Sequence, residues 1–208
     1  MPRLGDRLRQ ARHRQERARL LRRLPKHSVG VEIGVWAGDL SAAILRVVRP
    51  TRLHLLDPWA FAPDEGYAQA WYGGARASGQ AEMDEVYERV LQRFETEIAD
   101  GTVAIHRSAS VDAAVHFENA SLDWVYVDGN HLYDYVWADL ELFAPKVRPG
   151  GRLAGDDYGA AGWWDDGVSP GGRSLPRDEG WCLRACLPAG PVSSAPRAIA
   201  APAPPSLR

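Results

Sequence analysis

Apolar and polar positions divide the chain from residue 28 onward into two kinds of segment. Five short apolar runs have the length of buried strands, namely VGVEIGV (29–35), RLHLLD (52–57), VAIHRS (103–108), LDWVYVD (122–128) and RLAGDD (152–157). Between the runs, apolar residues recur at helical spacing in 39–48, 83–99 and 132–144. We expect Asp39 or Ser41 to cap the first of these helices. The alternation predicts a parallel sheet with helices on both faces.

The predicted fold class is α/β, a Rossmann-like, three-layer, doubly wound parallel sheet with strand order 3-2-1-4-5. This order brings the carboxyl ends of strands 1, 4 and 5 together and opens a ligand crevice between strands 1 and 4. We expect three regions: a basic N-terminal helix at 1–27, the sheet domain at 28–167 and an irregular or disordered tail at 168–208.

The N-terminal region carries nine arginines, Arg3 through Arg23, around a broken apolar stripe. A basic amphipathic helix can contact RNA or a membrane. The weak stripe favours the alternative, a solvated helix that packs on the edge of the domain. The overall net charge of −2 gives no reason to expect nucleic acid as a partner.

Composition narrows the class of protein further. The 208 residues are 45% hydrophobic and 25% charged, as in ordinary globular domains. No stretch approaches the ~20 apolar residues that a membrane span needs, so we expect no membrane contact. The two cysteines, Cys182 and Cys186, show no metal-ligand pattern with a second pair, which favours a cytoplasmic location.

The end of the first strand carries the first candidate chemistry. Gly34 and Gly38 allow a tight turn and close approach of a ligand at a helix N-terminus, although such a pair also occurs in simple βα turns. The spacing is not G-x-G-x-x-G and Trp36 lies in the turn, which disfavours a dinucleotide. Asp57 ends the second strand, where a carboxylate can accept both ribose hydroxyls or simply form an Asp-Pro turn. Together these residues favour a nucleoside cofactor.

Three carboxylates form a second candidate site. Asp128 ends strand 4, and Asp156 and Asp157 end strand 5. Converging negative charge is unfavourable unless a cation compensates it, and oxygen ligands suit Mg²⁺. The alternative is that one or two of the acids cap helices or turns. His131 lies three residues beyond Asp128, where it could take a proton from an attacking hydroxyl or simply pack at the start of a helix.

At these residues the sequence resembles a known family. The segments VEIGVWAGDLSAAIL, LHLLDPW, SLDWVYVDGNHLYDYVWADLELFAPKVRPGGRLAGDDY and GWWDDGV resemble the macrocin O-methyltransferase-like branch of class I S-adenosylmethionine-dependent methyltransferases, over about 28–168. Characterised members methylate sugar hydroxyls of natural products with the help of magnesium.

The resemblance also implies roles for individual residues. For the cofactor, it implies that Glu32, Gly34 and Gly38 line the methionine and ribose side. It also implies that Asp57 holds the ribose and that Ser108 lies near the adenine. Those implied for the chemistry are Asp128, Asp156 and Asp157 as magnesium ligands and His131 as the base.

We therefore expect an S-adenosylmethionine-dependent O-methyltransferase that acts, with metal assistance, on a hydroxyl of a small molecule such as a sugar or natural product. A homo-oligomer is left open. The alternative is a truncated, inactive relative that binds the cofactor or a partner protein. A nicotinamide-dinucleotide domain is disfavoured by the missing pyrophosphate glycine and the acid triad.

The tail departs from the family pattern. A full class I sheet ends in an antiparallel hairpin, whereas 168–208 holds eight of the fifteen prolines and nothing typical of two core strands. We expect the final hairpin to be missing. Out-of-frame reading of GC-rich DNA near residue 168 is the preferred explanation, and a genuine disordered tail is the alternative.

Overall fold

The structure is a computed structural model of the 208-residue chain that describes residue 15 and residues 17–74, 78–155 and 187–188. Asp156, Asp157 and almost all of the predicted tail lie outside the described residues. The predicted boundaries at 27 and 167 and the irregular character of 168–208 therefore stay predictions.

Five parallel strands form the sheet, and their order confirms the sequence prediction. The strands are β1 (Val29–Ile33), β2 (Arg52–Asp57), β3 (Val103–Arg107), β4 (Leu122–Val127) and β5 (Val147–Gly155). They lie in the order β3-β2-β1-β4-β5, and each neighbouring pair is parallel. The carboxyl ends of β1 and β4 are therefore adjacent, as a ligand crevice between them requires.

One short strand was not predicted. Leu187 and Pro188 form β6, which pairs antiparallel with β5 opposite Arg152 and Leu153. This two-residue pairing gives part of the far edge of β5 a backbone partner.

Helices connect the strands and cover both faces of the sheet. They are α1 (Asp39–Val48), α2 (Gln80–Arg93), α3 (Glu95–Ala99), α4 (Ser110–Ala113) and α5 (Tyr133–Phe143). Residues 17–23 form an additional N-terminal helical segment. Single 3-10 turns occur at Glu65–Tyr67, Ala114–His116 and Ala144–Lys146.

Two local predictions about helices were wrong. Neither Asp39 nor Ser41 caps α1, because the N-cap is Gly38 in the left-handed conformation (φ 78°) and no side chain bonds the helix end. Asp39 instead pairs with Arg93 at 2.7 Å. The helix predicted at 83–99 begins earlier and is interrupted at Phe94 (φ −113°), which separates α2 from α3. The buried Phe94 ring packs against Gly38, where an added Cβ would lie only 2.6 Å away.

The fifth strand is also longer than predicted at its start. It begins at Val147, five residues before the predicted run at 152–157, and includes the Pro-Gly-Gly sequence at 149–151. A register irregularity opposite Leu122 and Trp124 accommodates this segment. Gly150 takes a positive φ of 81° there.

Two apolar clusters, one on each face of the sheet, form the core. The first cluster lies under α1, α2 and the N-terminal segment and includes Leu21, Ile44, Leu55, Val90 and Trp124. The second lies under α4 and α5 and includes Val31, Val125, Val136, Leu140 and Phe143. Full burial of each such side chain contributes roughly 1.5–3 kcal/mol. The two clusters fix the three-layer arrangement that holds the strand ends in place.

Candidate functional site

The turn after β1 is as tight as its glycines predict. Gly34 has φ 89°, and its N–H donates to the Leu56 carbonyl at 2.9 Å. A Cβ on Gly34 would lie 2.2 Å from the carbonyl oxygen of Asp128. The backbone of Gly34 therefore closely approaches the end of β4, and this contact gives a structural reason for glycine that the sequence did not reveal.

The side chain of Asp57, at the end of β2, stabilises this turn by accepting backbone hydrogen bonds. Its Oδ2 accepts the backbone N–H groups of Val35 and Trp36, each at 2.9 Å, and its Oδ1 accepts that of Trp59 at 2.8 Å. Burial raises the pKa of Asp57, and these three N–H groups counteract the rise. The Trp59 ring is buried and donates from Nε1 to the Trp36 carbonyl at 2.9 Å, so the turn and the β2 end form one unit.

Glu32 lies beneath the turn and is fully buried, with 0% of the residue exposed. Neither carboxylate oxygen makes a hydrogen bond of good geometry among the described residues, although a side-chain contact with the Ser41 hydroxyl favours the ionised form. Burial raises the pKa of Glu32 well above its ordinary value; the charges of Asp128 and Asp57 add to the rise, while Ser41 and Arg17 oppose it. An unpaired buried carboxylate is unfavourable, so this arrangement requires a proton, a cation or a hydrogen-bond donor from elsewhere.

The ends of β3 and β4 bring further predicted residues to the same edge. The Ser108 N–H donates to the carbonyls of Asp57 (3.2 Å) and His106 (3.0 Å). The Asp128 N–H donates to the Ile33 carbonyl at 2.8 Å. Ser108 therefore lies beside Asp57, and Asp128 beside the glycine turn.

Arg17 reaches this edge from the N-terminal helical segment. Its Nη2 lies 3.2 Å from Asp128 Oδ2, and the two side chains are 25% and 16% exposed. The sequence analysis did not single out Arg17 among the nine N-terminal arginines. The only available signal was the helical pattern itself, because this contact joins residues 111 positions apart.

The loop between β4 and α5 holds the predicted base. His131 is half-buried there, three residues beyond Asp128. The preceding Asn130 shapes the loop, since its Oδ1 accepts the Leu132 N–H at 3.0 Å. Asn130 Nδ2 also donates to the Tyr67 hydroxyl at 3.2 Å, which ties the loop to the aromatic segment after β2.

The aromatic segment at 59–74 lies alongside the turn. The rings of Trp36 and Trp71 are 5.6 Å apart, and those of Tyr67 and Tyr72 are also 5.6 Å apart. Trp36 also borders an open cavity of about 310 Å³ against α2. The other residues that line this cavity are Glu82, Met83, Glu85, Val86 and Arg89. These aromatic rings offer apolar walls beside the predicted crevice.

Only one of the three predicted magnesium ligands lies among the residues that the structure describes. Asp128 is at the expected edge, whereas Asp156 and Asp157 lie outside the described residues. Within the described part of the chain, no group of three or more His, Cys, Asp or Glu side chains is arranged to hold a metal ion. In that same part, no helix is long and apolar enough to cross a membrane.

The sequence match that decides the family covers the strand ends of this edge. Residues 31–158 match the family described as "Methyltransferase domain". The chain belongs to this family. The match runs from β1 through the glycine turn, Asp57, Ser108 and Asp128 to just beyond β5. The class I S-adenosylmethionine-dependent methyltransferase assignment is thus confirmed at the level of family and fold.

Solved structures give more distant similarities to the methyltransferase domain. A protein from Corynebacterium glutamicum is 18% identical (TM-score 0.45), with 67% of this chain and 54% of that chain covered. A Streptococcus mutans protein solved with SAH is 9% identical (TM-score 0.45; 67% and 68% covered). Geranyl diphosphate C-methyltransferase from Streptomyces coelicolor A3(2), solved with Mg²⁺, geranyl diphosphate and S-adenosyl-L-homocysteine, is 13% identical (TM-score 0.46; 71% and 45% covered).

The methyltransferase domain spans about half the length of the first of these structures and less than half of the last. A comparison of the chain's sequence with curated proteins found no match.

Proposed function

We propose that this chain is an S-adenosylmethionine-dependent O-methyltransferase of the macrocin O-methyltransferase-like branch, acting on a hydroxyl group of a small molecule. The observation that carries the cofactor assignment is Glu32. Its two oxygens are buried without a hydrogen bond of good geometry among the described residues, in the strand that leads into the turn at the topological switch point. This is where a doubly wound sheet binds its ligand.

The residues at this edge suit the proposed cofactor. A buried acid with few donors around it is complementary to the ammonium and hydroxyl donors of the methionine and ribose groups. Asp57 Oδ1 accepts the backbone N–H of Trp59, and a carboxylate oxygen can accept more than one hydrogen bond. The ribose role implied for Asp57 is therefore compatible with its role in stabilising the turn. We assign Glu32, Gly34 and Gly38 to the methionine and ribose side and Ser108 to the adenine side.

His131 is the proposed general base. When bound, S-adenosylmethionine supplies a methyl group on a sulfonium. That methyl group would pass to the substrate oxygen, with the thioether as leaving group, and His131 would take the hydroxyl proton. The half-buried position of His131, in the loop three residues beyond Asp128, supports this role. We expect His131→Ala to lower turnover by roughly 10²–10⁴-fold; a change of only a few-fold would assign His131 to packing.

The Asp128 carboxylate supplies oxygen ligands of the kind that magnesium prefers. It would hold the ion together with Asp156 and Asp157. The ion would supply electrostatic stabilisation to the substrate oxygen. The double variant Asp156→Ala/Asp157→Ala should abolish metal binding, followed with Mn²⁺ by electron paramagnetic resonance, while S-adenosylhomocysteine affinity stays within a few-fold. Full turnover after chelator treatment would contradict this part of the proposal.

Calorimetry on the full chain tests the cofactor assignment. We expect S-adenosylhomocysteine to bind and NAD⁺ to bind far more weakly. Tighter binding of NAD⁺ would overturn the proposal. Binding of S-adenosylhomocysteine without methyl transfer to any of a panel of hydroxylated acceptors would favour an inactive, cofactor-binding relative.

A further inference from the structure

Acidic side chains and one arginine meet at the carboxyl edge of β1, β2 and β4. Asp57 and Asp128 both act electrostatically on the buried Glu32, and each makes its ionisation less favourable. Arg17 acts in the opposite direction on the same group. The edge is therefore acidic around Glu32, with a guanidinium from the N-terminal segment at its border.

The position of Arg17 is defined by both burial and contact. Only a quarter of its side chain is exposed, and its Nη2 lies 3.2 Å from Asp128 Oδ2. Leu20, Leu21 and Leu24 anchor the N-terminal segment, since all three are buried in the domain. The guanidinium is consequently held at the strand ends by packing as well as by charge. A partly exposed ion pair contributes little to stability, so folding alone gives a weak reason for this placement.

The methionine end of the proposed cofactor carries an ammonium and a carboxylate on the same carbon. The acidic surroundings of Glu32 suit the ammonium. The carboxylate requires a cationic donor, and a guanidinium is suited to it because its planar N–H fork matches carboxylate geometry.

We infer that Arg17 binds the α-carboxylate of the cofactor's methionine group. This inference rests on the proposed function, because it assigns a further binding residue to the same site. It makes the N-terminal helical segment, which lies outside the residues of the family match, a part of the cofactor site.

Two ligands that differ in the amino-acid group test the inference. S-adenosylhomocysteine carries the α-carboxylate, whereas 5′-methylthioadenosine has the same nucleoside and thioether without the amino-acid group. Both are titrated by calorimetry into the wild-type full chain, Arg17→Gln and Arg22→Gln. Arg22 is an exposed arginine on the same segment and serves as the matched control.

We expect Arg17→Gln to weaken S-adenosylhomocysteine binding by about 10- to 100-fold and 5′-methylthioadenosine binding by less than about threefold. Arg22→Gln should change neither. The unchanged nucleoside affinity would show that the variant is folded. Equal loss for both ligands, or no loss for either, would overturn the role of Arg17 while leaving the cofactor assignment intact. If the wild type bound neither ligand, the proposed function and this inference would both be wrong.

Discussion

The backbone N–H of Trp36 donates to Asp57 Oδ2 at 2.9 Å, so the end of β2 holds the turn that follows β1. Val35 donates to the same oxygen, and Trp59 donates to the other. The acid that the sequence offers as a ribose ligand thus also fixes the shape of the glycine turn. Substitutions at Asp57 should accordingly affect the cofactor-free protein as well as the complex.

We expect Asp57→Asn to lower the free energy of unfolding by about 1–3 kcal/mol without any ligand, because an amide cannot offer two acceptor oxygens to three N–H groups. It should also weaken S-adenosylhomocysteine binding about tenfold or more. Urea unfolding and calorimetry measure the two effects. Asp123→Asn is the control, since Asp123 accepts the Val29 N–H at 2.7 Å at the other end of β1. It should destabilise the fold and spare the affinity. If Asp57→Asn were as stable as the wild type, Asp57 would not stabilise the turn after β1.

Gly34→Ala should be among the most damaging small substitutions in the domain. Its Cβ would meet the Asp128 carbonyl at 2.2 Å, and φ is 89°. We expect a loss of about 3 kcal/mol or more in urea unfolding. Gly150→Ala separates strain from contact, because Gly150 has a similar φ of 81° with nothing within 4 Å of the added Cβ. It should cost only about 1–2 kcal/mol. Equal losses in the two variants would show that the contact with Asp128 is unimportant.

Asp139 on α5 should make stability depend on pH. Burial raises its pKa to about 7, against the hydrogen bond from the Ser110 hydroxyl, which lowers it. The unfolded chain loses this proton near pH 4 and the folded chain near pH 7, so stability falls as pH rises across that window and stays lower above it.

We therefore expect Asp139→Asn to unfold at higher urea concentration than the wild type at pH 8, by about 1–3 kcal/mol in free energy. The advantage should shrink toward pH 4. Asp134→Asn, an exposed position on the same helix, is the control and should show no such trend. A destabilised Asp139→Asn at pH 8 would contradict the assignment.

His54 and His106 should produce the opposite trend. His54 Nδ1 lies 3.0 Å from His106 Nε2, and the two rings sit beside Phe117. Burial, together with the charges of His106 and Arg52, lowers the pKa of His54 to about 4. The unfolded chain takes up a proton near pH 6.5 and the folded chain does not, so stability falls as pH drops from about 6.5 to 4.

Nuclear magnetic resonance of the His54 ring can measure this pKa directly. Measured by urea unfolding as a difference from His54→Gln, the wild type should lose about 1–2 kcal/mol between pH 7 and 4.5, because the comparison cancels the opposite contribution of Asp139; this figure allows for the partial exposure of His54. A His54 ring that titrates near its ordinary value would rule out the paired, desolvated arrangement.

The strands and their order were predictable because buried parallel strands appear in a sequence as short continuous apolar runs, as in 29–33 and 122–127. The helix break at Phe94 was not predictable, because Phe94 fits the same i, i+4 apolar pattern as the helical residues around it. Its packing on Gly38 is a tertiary contact that the pattern does not show. The positions of Asp57 and Asp128 followed from the strand ends. Their partners Trp36 and Arg17 did not, because these contacts depend on tertiary placement across 21 and 111 residues.

Amide hydrogen exchange of the full chain, with and without S-adenosylhomocysteine, tests the central claim that the turn after β1 is the cofactor site. The account predicts that the ligand slows exchange in the peptides covering 32–39 and 57–59 and in the N-terminal peptide containing Arg17. The far edge of the sheet around 147–151 should remain unchanged. Slowed exchange confined to other regions, or none at saturating ligand, would contradict the account.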